Sequence, residues 1–413
     1  MEIYNSLGRK VEKFTPRSPK EVKIYTCGPT VYARPHIGNF RTYVFEDTLK
    51  RYLLYHGYKV RHAMNITDID ETVEKEVRKA HVARAALTRK YEGLFRKDAA
   101  ALGMLPADSY PHVSKYVERM AGTVAALLRM GAAYNDGKGR VFFDISKFPS
   151  YGKLAGKRIR AQRKVMREEY KPYQAGDFLL WSRCPRAECE KCMETDQGMC
   201  KPAWNVQCAA MATAELGGRI DISMGGQDNL FNHHENTRAI ANTLCGGKSR
   251  SGHEFSKYYV HVRHLIVGGK KMSKSKGNVV LLPDLLARGF SAQEARMMLL
   301  SVHYRRRLDF TWQYARAVKM RSLGMRRAIN ALKNAHGGAG TEGAGREGFL
   351  EFAVDAQKEF EASLGDNMDV PSALDVAEKF ALECAGADLS GKQARRAIAL
   401  LRKFDSVLAC LPI

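Results

Sequence analysis

Tryptophan and proline are scarce in this sequence of 413 residues, with 3 and 13 copies, and acidic residues are few relative to basic ones. No run of about 18 apolar residues occurs, which excludes a helix that spans a membrane. No apolar stretch follows the first residues, so we expect no signal peptide. The hydrophobic share of 45% and the charged share of 27% exclude a disordered or fibrous chain. The length predicts about two to four domains.

The charge is unbalanced and unevenly spread. The chain has 67 Lys+Arg against 44 Asp+Glu, a formal net charge of +23. Residues 311–413 hold 14 basic and 13 acidic residues, so residues 1–310 carry nearly all of the excess. Such a basic surface favours a polyanionic partner, and nucleic acid is the usual one. The alternative is that the surplus cations only solvate the surface.

Nine cysteines are an odd number for a disulfide framework. Five of the nine lie within 25 residues, which indicates metal chemistry in a reducing compartment, so we expect a cytosolic protein. The five crowded residues are Cys184, Cys189, Cys192, Cys200 and Cys208.

Alternating strand and helix patterns predict an α/β fold with a parallel sheet. A β-rich run at 22–28 precedes a helical pattern at 35–57, then a strand pattern at 58–68 and a helical one at 72–103. The predicted segments are the first half of a catalytic domain (1–130), an insertion with a basic stretch at 153–171 and the cysteine cluster (131–203), the second catalytic half (204–265), a loop and stem-contact region (266–310), and a helical bundle (311–413) with a flexible linker at 336–345.

Two short motifs are suited to phosphate chemistry. The first is PHIGN at 35–39, placed between a strand and a helix. A helix N-terminus attracts phosphate, Gly38 allows a close approach of the backbone, and His36 can donate to a phosphate in the transition state. The second, KMSKSKGN at 271–278, predicts a mobile cationic loop that closes over a triphosphate. Taken singly, the first motif could be a surface histidine before a helix, and the second could be a solvated basic turn.

Together and in this order, the two motifs resemble the HIGH and KMSKS signatures of class I aminoacyl-tRNA synthetases. Further strings resemble one family of that class, the cysteinyl-tRNA synthetases, over nearly the whole chain. The resemblance implies a Rossmann-like catalytic domain with a connective insertion, followed by an all-α bundle. The matching strings are YTCGPTVY (25–32), HIGNFRTYVFED (36–47), NITDIDE (65–71), FDISKFPSYGKLAG (143–156), DFLLW (177–181), GGQDNLFNHHEN (225–236), LLSVHYR (299–305) and DNMDVPSAL (366–374).

The resemblance implies a zinc ion that binds the thiolate of the substrate cysteine. The family's ligands fall on Cys27, Cys208 and His233. The fourth ligand is normally a glutamate, and Thr237 stands at that position. A neutral hydroxyl is a poor zinc ligand, so we expect a three-coordinate site, or one that recruits Thr30 or a water. The related cysteine ligase of mycothiol biosynthesis also looks changed to threonine at this point.

The other site residues are also implied by the resemblance. His36, Asn39, Lys271 and Lys274 would be catalytic. ATP would be bound, with Mg²⁺, by Gly38, Gly225, Gly226, Asp228 and Lys274, and the substrate cysteine by Thr67 and Trp204. Structural packing explains Thr67 and Trp204 equally well.

Two further departures from the family bear on function. Cys184, Cys189, Cys192 and Cys200 have spacings that fit a second, structural zinc, with free thiols or a redox pair as the alternatives. An iron–sulfur cluster is a less favoured metal. The family's C-terminal anticodon module has no counterpart after the last predicted helix, which puts anticodon reading in doubt.

The sequence therefore predicts a monomeric cysteinyl-tRNA synthetase that uses ATP, L-cysteine and the acceptor stem of a tRNA. The alternative is a ligase that joins cysteine to a small-molecule amine, which Thr237 and the missing module favour. A non-catalytic RNA-binding relative is a third hypothesis. The two intact phosphate motifs oppose it.

Overall fold

The computed structural model describes residues 1–156, 176–184, 193–195, 198–246, 254–272, 277–337 and 346–413. The strands are β1 (Glu2–Asn5), β2 (Lys10–Lys13), β3 (Glu21–Thr26), β4 (Lys59–Met64), β5 (Ala133–Asn135), β6 (Val141–Phe143), β7 (Phe178–Arg183), β8 (Met193–Thr195), β9 (Gly198–Pro202), β10 (Ile220–Gly226), β11 (Ser256–Val262), β12 (Leu265–Val267), β13 (Lys270–Lys271) and β14 (Leu308–Phe310). The helices are α1 (Ile37–Tyr55), α2 (Glu71–Ala80), α3 (Arg84–Ala101), α4 (Val117–Arg129), α5 (Trp204–Leu216), α6 (Glu235–Gly246), α7 (Leu282–Ala287), α8 (Ala292–Leu300), α9 (Trp312–Gly337), α10 (Phe349–Gly365), α11 (Val370–Gly386) and α12 (Gly391–Leu408).

A four-stranded parallel sheet in the order β11-β10-β3-β4 forms the centre of the catalytic part. Neighbouring residues of a strand face opposite sides of a sheet. Ile24 packs in one hydrophobic core with Phe40 of α1, whereas Tyr25 packs in another with Leu216 of α5. The two helices therefore cover opposite faces, which explains why β10 is buried along nearly its whole length. The predicted α/β class is confirmed.

The first predicted helix is observed as α1, which stops just before Gly57, a residue with φ of 79°. The helical pattern at 72–103 is observed as two helices rather than one. The break follows α2, where His81 adopts a left-handed conformation with φ of 52°. α2 begins at Asp70, whose side chain accepts a hydrogen bond from the Thr72 amide.

An antiparallel sheet in the order β5-β6-β7-β9-β8 lies between the two halves of the parallel sheet in the chain. Its β5–β6 pair is the hairpin that the sequence predicts, with Ala133 opposite Phe143. The stacked rings of Phe143 and Phe178 belong to its core. Most of the predicted basic stretch at 153–171 lies outside the described residues.

The remainder is mainly helical, as predicted, except for β14, which pairs in parallel with β12. α9 to α12 pack as a bundle whose core includes the stacked rings of Phe360 and Phe404, 4.2 Å apart. The predicted linker at 336–345 lies largely outside the described residues, and the domain boundaries stay predictions. In the described part of the chain, no helix combines the length and the apolar character needed to cross a bilayer.

Candidate active site

Three metal-binding side chains meet at one edge of the parallel sheet. Cys27 follows β3, Cys208 lies in α5, and His233 lies in the irregular turn before α6. The two sulfur atoms and a ring nitrogen of His233 all lie within 4.8 Å of one another. His233 Nε2 is 3.2 Å from Cys208 Sγ, and both residues are buried. Two thiols and an imidazole match the ligand types that Zn²⁺ prefers.

The two thiols are electrostatically unequal. A hydrogen bond with Cys27 holds the pKa of Cys208 well below its usual value, and the nearby His233 ring acts in the same direction. The same hydrogen bond, together with burial, raises the pKa of Cys27 well above its usual value. Cys208 therefore loses its proton more readily than Cys27. Metal binding to both sulfurs would release the proton of Cys27.

Thr237 lies in the first turn of α6, four residues after His233, and only 6% of it is exposed. Its hydroxyl oxygen and the Nδ1 atom of His233 find no hydrogen-bond partner among the described residues. Buried polar atoms without partners are rare, and a bound ion or water commonly explains them. The donor set and the unpartnered Thr237 hydroxyl fit a zinc ion. The assignment of Thr237 to a neutral fourth ligand position stays a prediction.

Behind the metal cluster, a chain of hydrogen bonds runs into the protein. Cys27 Sγ is 3.1 Å from His234 Nε2, His234 Nδ1 is 2.8 Å from His261 Nε2, and His261 Nδ1 is 2.8 Å from Ser6 Oγ. Burial lowers the pKa of both histidines, to about 3 for His261, so both rings are neutral. If Cys27 is a thiolate, the proton order is fixed: Ser6 donates to His261, His261 to His234, and His234 to the sulfur.

Asn65 holds the segment that carries Cys27. Its Oδ1 atom accepts a hydrogen bond from the Gly28 amide at 3.1 Å, and its Nδ2 atom donates to Thr67 Oγ1 at 3.0 Å. A Cβ atom on Gly28 would lie 1.9 Å from the carbonyl oxygen of Asn65. Only glycine fits there, because the obstructing atom is backbone.

The N-terminus of α1 is shaped by the first motif. The Nδ1 atom of His36 accepts from the Asn39 amide at 3.2 Å, and the Asn39 side chain accepts from the His36 amide at 3.1 Å. This reciprocal capping box fixes both residues. Because Nδ1 is an acceptor, the proton of the neutral His36 ring is on Nε2. A neutral imidazole with that proton can donate to a phosphate near the positive end of the helix.

In the structure, the second motif, at 271–278, lies next to the first, at 35–39. The Ile37 amide donates to Val280 O at 3.0 Å. The Cε atom of Met272 lies 2.5 Å from where a Cβ on Gly38 would be. Lys271 is exposed in β13. Residues 273–276, which include Lys274, lie outside the described residues.

The predicted ATP residues Gly225, Gly226 and Asp228 lie at the end of β10 and in the turn that follows. A Cβ on Gly226 would lie 2.5 Å from Asp228 Oδ1. The charges of Asp228 and Lys271 both act on His264, whose pKa is lowered mainly by burial. Gly225 and Gly226 therefore lie in the same region of the molecule as β13, the strand that contains Lys271.

The predicted substrate residues occupy two different surroundings. The ring of Trp204 stacks on the imidazole of His233 with centroids 3.8 Å apart, directly beside the metal cluster. Thr67 is buried, and its backbone bonds to the loop after Cys27, pairing with Thr30 and donating to Pro29 O at 3.0 Å. Trp204 thus packs against a candidate metal ligand, and Thr67 supports the loop.

The cysteine cluster of the insertion is only partly described. Cys184 is buried and disulfide-bonded. Cys189 and Cys192 lie outside the described residues, and the side chain of Cys200 is not described. The second metal stays a prediction.

Four supporting residues of the site were not among the predicted site residues: Asn65, His234, His261 and Ser6. The pair of adjacent histidines at 233–234 and the histidine inside the apolar run of β11 were the available signals. No sequence signal pointed to Ser6, because it lies 255 residues from its partner His261.

Comparison with known proteins defines the class first. Residues 13–319 match the family model for the catalytic domain of class I (C) tRNA synthetases. A LeuRS–tRNA complex from Agrobacterium radiobacter has the same fold, with a TM-score of 0.71 at 12% identity over 97% of this chain and 85% of the other. A methionyl-tRNA synthetase from Mycobacterium tuberculosis gives a TM-score of 0.64 at 15% identity, over 95% and 92%.

Curated relatives define the family within that class. A protein of Chlamydia caviae named cysteine–tRNA ligase is 38% identical over 99% of this chain and 86% of its own length. One from Protochlamydia amoebophila with the same name is 34% identical over 100% of this chain and 86% of the relative. The chain belongs to the cysteine–tRNA ligase family of class I aminoacyl-tRNA synthetases.

Proposed function

We propose that the protein activates L-cysteine with ATP and transfers it to the 3′ end of a tRNA. In the first step the cysteine carboxylate attacks the α-phosphorus of ATP, forming cysteinyl-adenylate and releasing pyrophosphate. In the second a hydroxyl of the terminal adenosine attacks the carbonyl carbon and AMP leaves. The cluster of Cys27, Cys208 and His233 carries this proposal, since it suits a thiol-containing substrate.

Cys27, Cys208 and His233 would hold the zinc ion. When bound, zinc supplies a soft Lewis acid that prefers the thiolate of cysteine to the hydroxyl of serine. Trp204 keeps the His233 ring in place by stacking on it. The hydrogen-bond chain from Ser6 through His261 and His234 stabilises the Cys27 thiolate. We assign Thr67 to the amino-acid site beside this cluster, through its contact with Asn65.

The phosphates of ATP would lie at the N-terminus of α1. We assign His36 and Asn39 to the reacting phosphate and Gly38 to the close backbone approach. Lys274, with Lys271, would neutralise the charge that develops on the triphosphate together with Mg²⁺.

The adenosine half of ATP would lie at the end of β10, where Gly225 and Gly226 expose backbone and Asp228 follows. Ligands of open parallel sheets bind at this carboxyl edge, which supports the assignment. No side chain acts as a covalent nucleophile in this scheme, since the substrate carboxylate attacks ATP directly.

The partners follow from the chemistry. The two free thiols of the site are typical of a reducing compartment, and on that ground we propose that the protein is cytosolic. We also propose that it acts as a monomer, with the acceptor stem of tRNA on the catalytic part, and that any second zinc belongs to the Cys184–Cys200 segment.

A second candidate is a ligase that passes the same adenylate to a small-molecule amine. Thr237, a neutral residue at the fourth ligand position, is the observation that favours it. The strong basic charge of residues 1–310 favours tRNA, because a small amine has no need of it.

Transfer of labelled cysteine to total tRNA, resolved on an acid gel, tests the proposal. We expect a charged band, and cysteine-dependent exchange between ATP and pyrophosphate that ignores serine. Exchange without a charged band would establish the amine ligase instead. Equal exchange with serine would refute the thiolate–zinc scheme.

Thr237→Glu and Thr237→Val test the neutral ligand position. We expect Thr237→Glu to slow zinc release to a chelator by roughly tenfold or more, because a fourth protein ligand is restored. Thr237→Val should retain its zinc, since the hydroxyl is not a strong ligand. Thr243→Val, which changes another threonine of the same helix, is the matched control. Loss of zinc from Thr237→Val alone would show that the threonine coordinates the metal.

A further inference from the structure

The string FDISKFPSYGKLAG, one of those that match the family, has no part in the proposed function. It contains residues 150–155, which we call the 150–155 segment, and this segment lies against the first turn of α6. The amide of Ala155 donates to Glu235 Oε2 at 2.8 Å. The hydroxyl of Tyr151 donates to the side chain of Asn236. Two consecutive residues of α6 therefore hold one short piece of the insertion.

A third residue of α6, Arg238, completes this contact. Its guanidinium donates to the carbonyl and hydroxyl oxygens of Ser150, at 3.0 Å each. It also forms ion pairs with Glu235 at 3.0 Å and with Glu254 at 2.8 Å. Arg238 is 2% exposed, and Glu235 is fully buried. These groups form a buried polar cluster between α6, the chain just before β11 and the 150–155 segment.

A buried ion pair is a weak source of stability, because the cost of removing both charges from water largely cancels their attraction. Apolar residues of similar volume often replace such a pair without loss of stability. A fully bonded buried cluster does fix geometry, since its hydrogen bonds allow few arrangements of the groups that make them. The cluster around Arg238 is therefore better explained by a requirement on the position of α6 than by a requirement on stability.

The chain that leads into α6 is irregular. Phe231 and Asn232 have non-helical backbone angles, and the φ of Asn232 is 76°, a positive value that only glycine adopts readily. The backbone before His233 is therefore a poor support for this candidate ligand. The positions of His233 and of Thr237 depend instead on the first turn of α6, which follows the one residue closely and contains the other.

We propose that the 150–155 segment positions His233 and Thr237 for the metal by holding the first turn of α6. This inference rests on the proposed function, in which that metal binds the thiolate of cysteine. Glu235 and Tyr151 are positioning residues, since neither belongs to the group of candidate ligands. Loss of their bonds loosens the ligands without removing one, so zinc should leave faster and cysteine should bind less tightly.

The test uses the full chain loaded with zinc. Tyr151→Phe removes only the hydroxyl that bonds to Asn236, and Glu235→Ala removes the carboxylate. In both variants we expect zinc release to a chelator to be roughly tenfold faster than in the original chain. In pyrophosphate exchange, the KM for cysteine should rise several-fold while the KM for ATP stays the same. Glu235→Gln keeps an oxygen that can accept from the Ala155 amide, so it should retain slow release.

Two matched variants separate positioning from stability. Asp47→Ala disrupts another buried ion pair, with Arg296 at 2.6 Å, between α1 and α8. Tyr134→Phe, in β5, removes a hydroxyl that donates to Asp177 at 2.8 Å. We expect Asp47→Ala to lower the urea midpoint, as Glu235→Ala does. Both matched variants should nevertheless release zinc at the rate of the original chain.

The zinc measurements distinguish the possible failures. Equal release from Tyr151→Phe and Tyr134→Phe would overturn the inference, and so would an original chain that holds no zinc. Equally fast release from Glu235→Ala and Asp47→Ala would attribute the effect to lost stability and would also overturn it. If Glu235→Ala does not fold, the two tyrosine variants decide alone. Absence of pyrophosphate exchange in the original chain would refute the proposed function, whereas the rates of zinc release would still test the positioning.

Discussion

At the scale of single residues, the metal cluster depends on side chains that cannot themselves bind the metal. His261 and Ser6 lie two and three hydrogen bonds away from Cys27, yet they fix which nitrogen of His234 carries the proton. Residues that orient a metal ligand commonly change metal affinity by about 10- to 100-fold. The sequence motifs around the cluster predict the candidate ligands but not the residues that orient them.

Ser6→Ala tests this dependence. Removal of the hydroxyl leaves His261 Nδ1 without its donor, so His234 loses its fixed tautomer and the thiolate of Cys27 is less stabilised. We expect zinc release to a chelator to be roughly tenfold faster than in the original chain. Release of zinc is followed with a colorimetric dye.

Ser6→Thr retains the hydroxyl and should restore slow release. Ser322→Ala removes another buried serine, in α9 far along the chain from the cluster, and serves as the matched control. Identical release from Ser6→Ala and Ser322→Ala would refute a role for the hydrogen-bond chain.

At the scale of elements, α1 depends on Arg41, a buried arginine with no carboxylate partner among the described residues. Its guanidinium donates to backbone oxygens of Arg263, Leu299, Val302, His303 and Arg306, at 2.8 to 3.3 Å. Burial lowers the pKa of Arg41 to about 10. The side chain therefore ties the first turns of α1, next to His36, to Arg263 after β11 and to the end of α8 with the segment that follows it.

Arg41→Leu should lower the free energy of unfolding by about 3 kcal/mol or more. The reason is that several buried carbonyl oxygens lose their donors, each at a cost of about 1 to 3 kcal/mol when left unsatisfied. The measurement is the urea midpoint by circular dichroism. Arg89→Leu, an exposed arginine of α3, is the control and should change stability by less than about 0.5 kcal/mol. Equal effects of the two substitutions would contradict the assigned role.

At the scale of the whole molecule, buried histidines make stability dependent on pH. His62 of β4 is 4% exposed, and its Nε2 atom is 2.9 Å from Thr26 Oγ1. Burial, aided by the charge of Lys50, lowers the pKa of His62 to about 3. Burial also lowers the pKa of His261 to about 3. More than about one pH unit above 6.5, these rings are neutral in both the folded and the unfolded chain, so they add no pH dependence there.

Between pH 6.5 and 3, the two histidines bind protons in the unfolded chain but stay neutral in the folded chain. The free energy of unfolding therefore falls as the pH falls. Each histidine contributes a slope of up to about 1.4 kcal/mol per pH unit. Between pH 6 and 4.5, we expect His62→Gln to reduce the slope of the urea-unfolding free energy against pH. The reduction should correspond to about one proton fewer taken up on unfolding. An unchanged slope in this variant, whatever its absolute stability, would show that His62 is protonated in the folded chain.

Local patterns predicted a large part of the fold. The spacing of apolar residues and the stop at Gly57 predicted α1, and the strand patterns around 22–28 and 58–68 predicted β3 and β4. The break between α2 and α3 was not predicted, because both helices keep a helical period and only the left-handed His81 separates them. β14 was likewise missed, since three residues are too short for a period and its pairing with β12 is a long-range contact.

The sequence by itself determined the class of fold, the phosphate motifs and, through the resemblance, the identity of the candidate ligands, because these are encoded in neighbouring residues. Only the tertiary structure decided that Cys27, Cys208 and His233 approach within 4.8 Å, and that Ser6 and His261 stand behind them. It alone decided that α9 packs against both α11 and α12. Periodicity and motifs are local properties, whereas sheet order and helix packing depend on contacts across the whole chain.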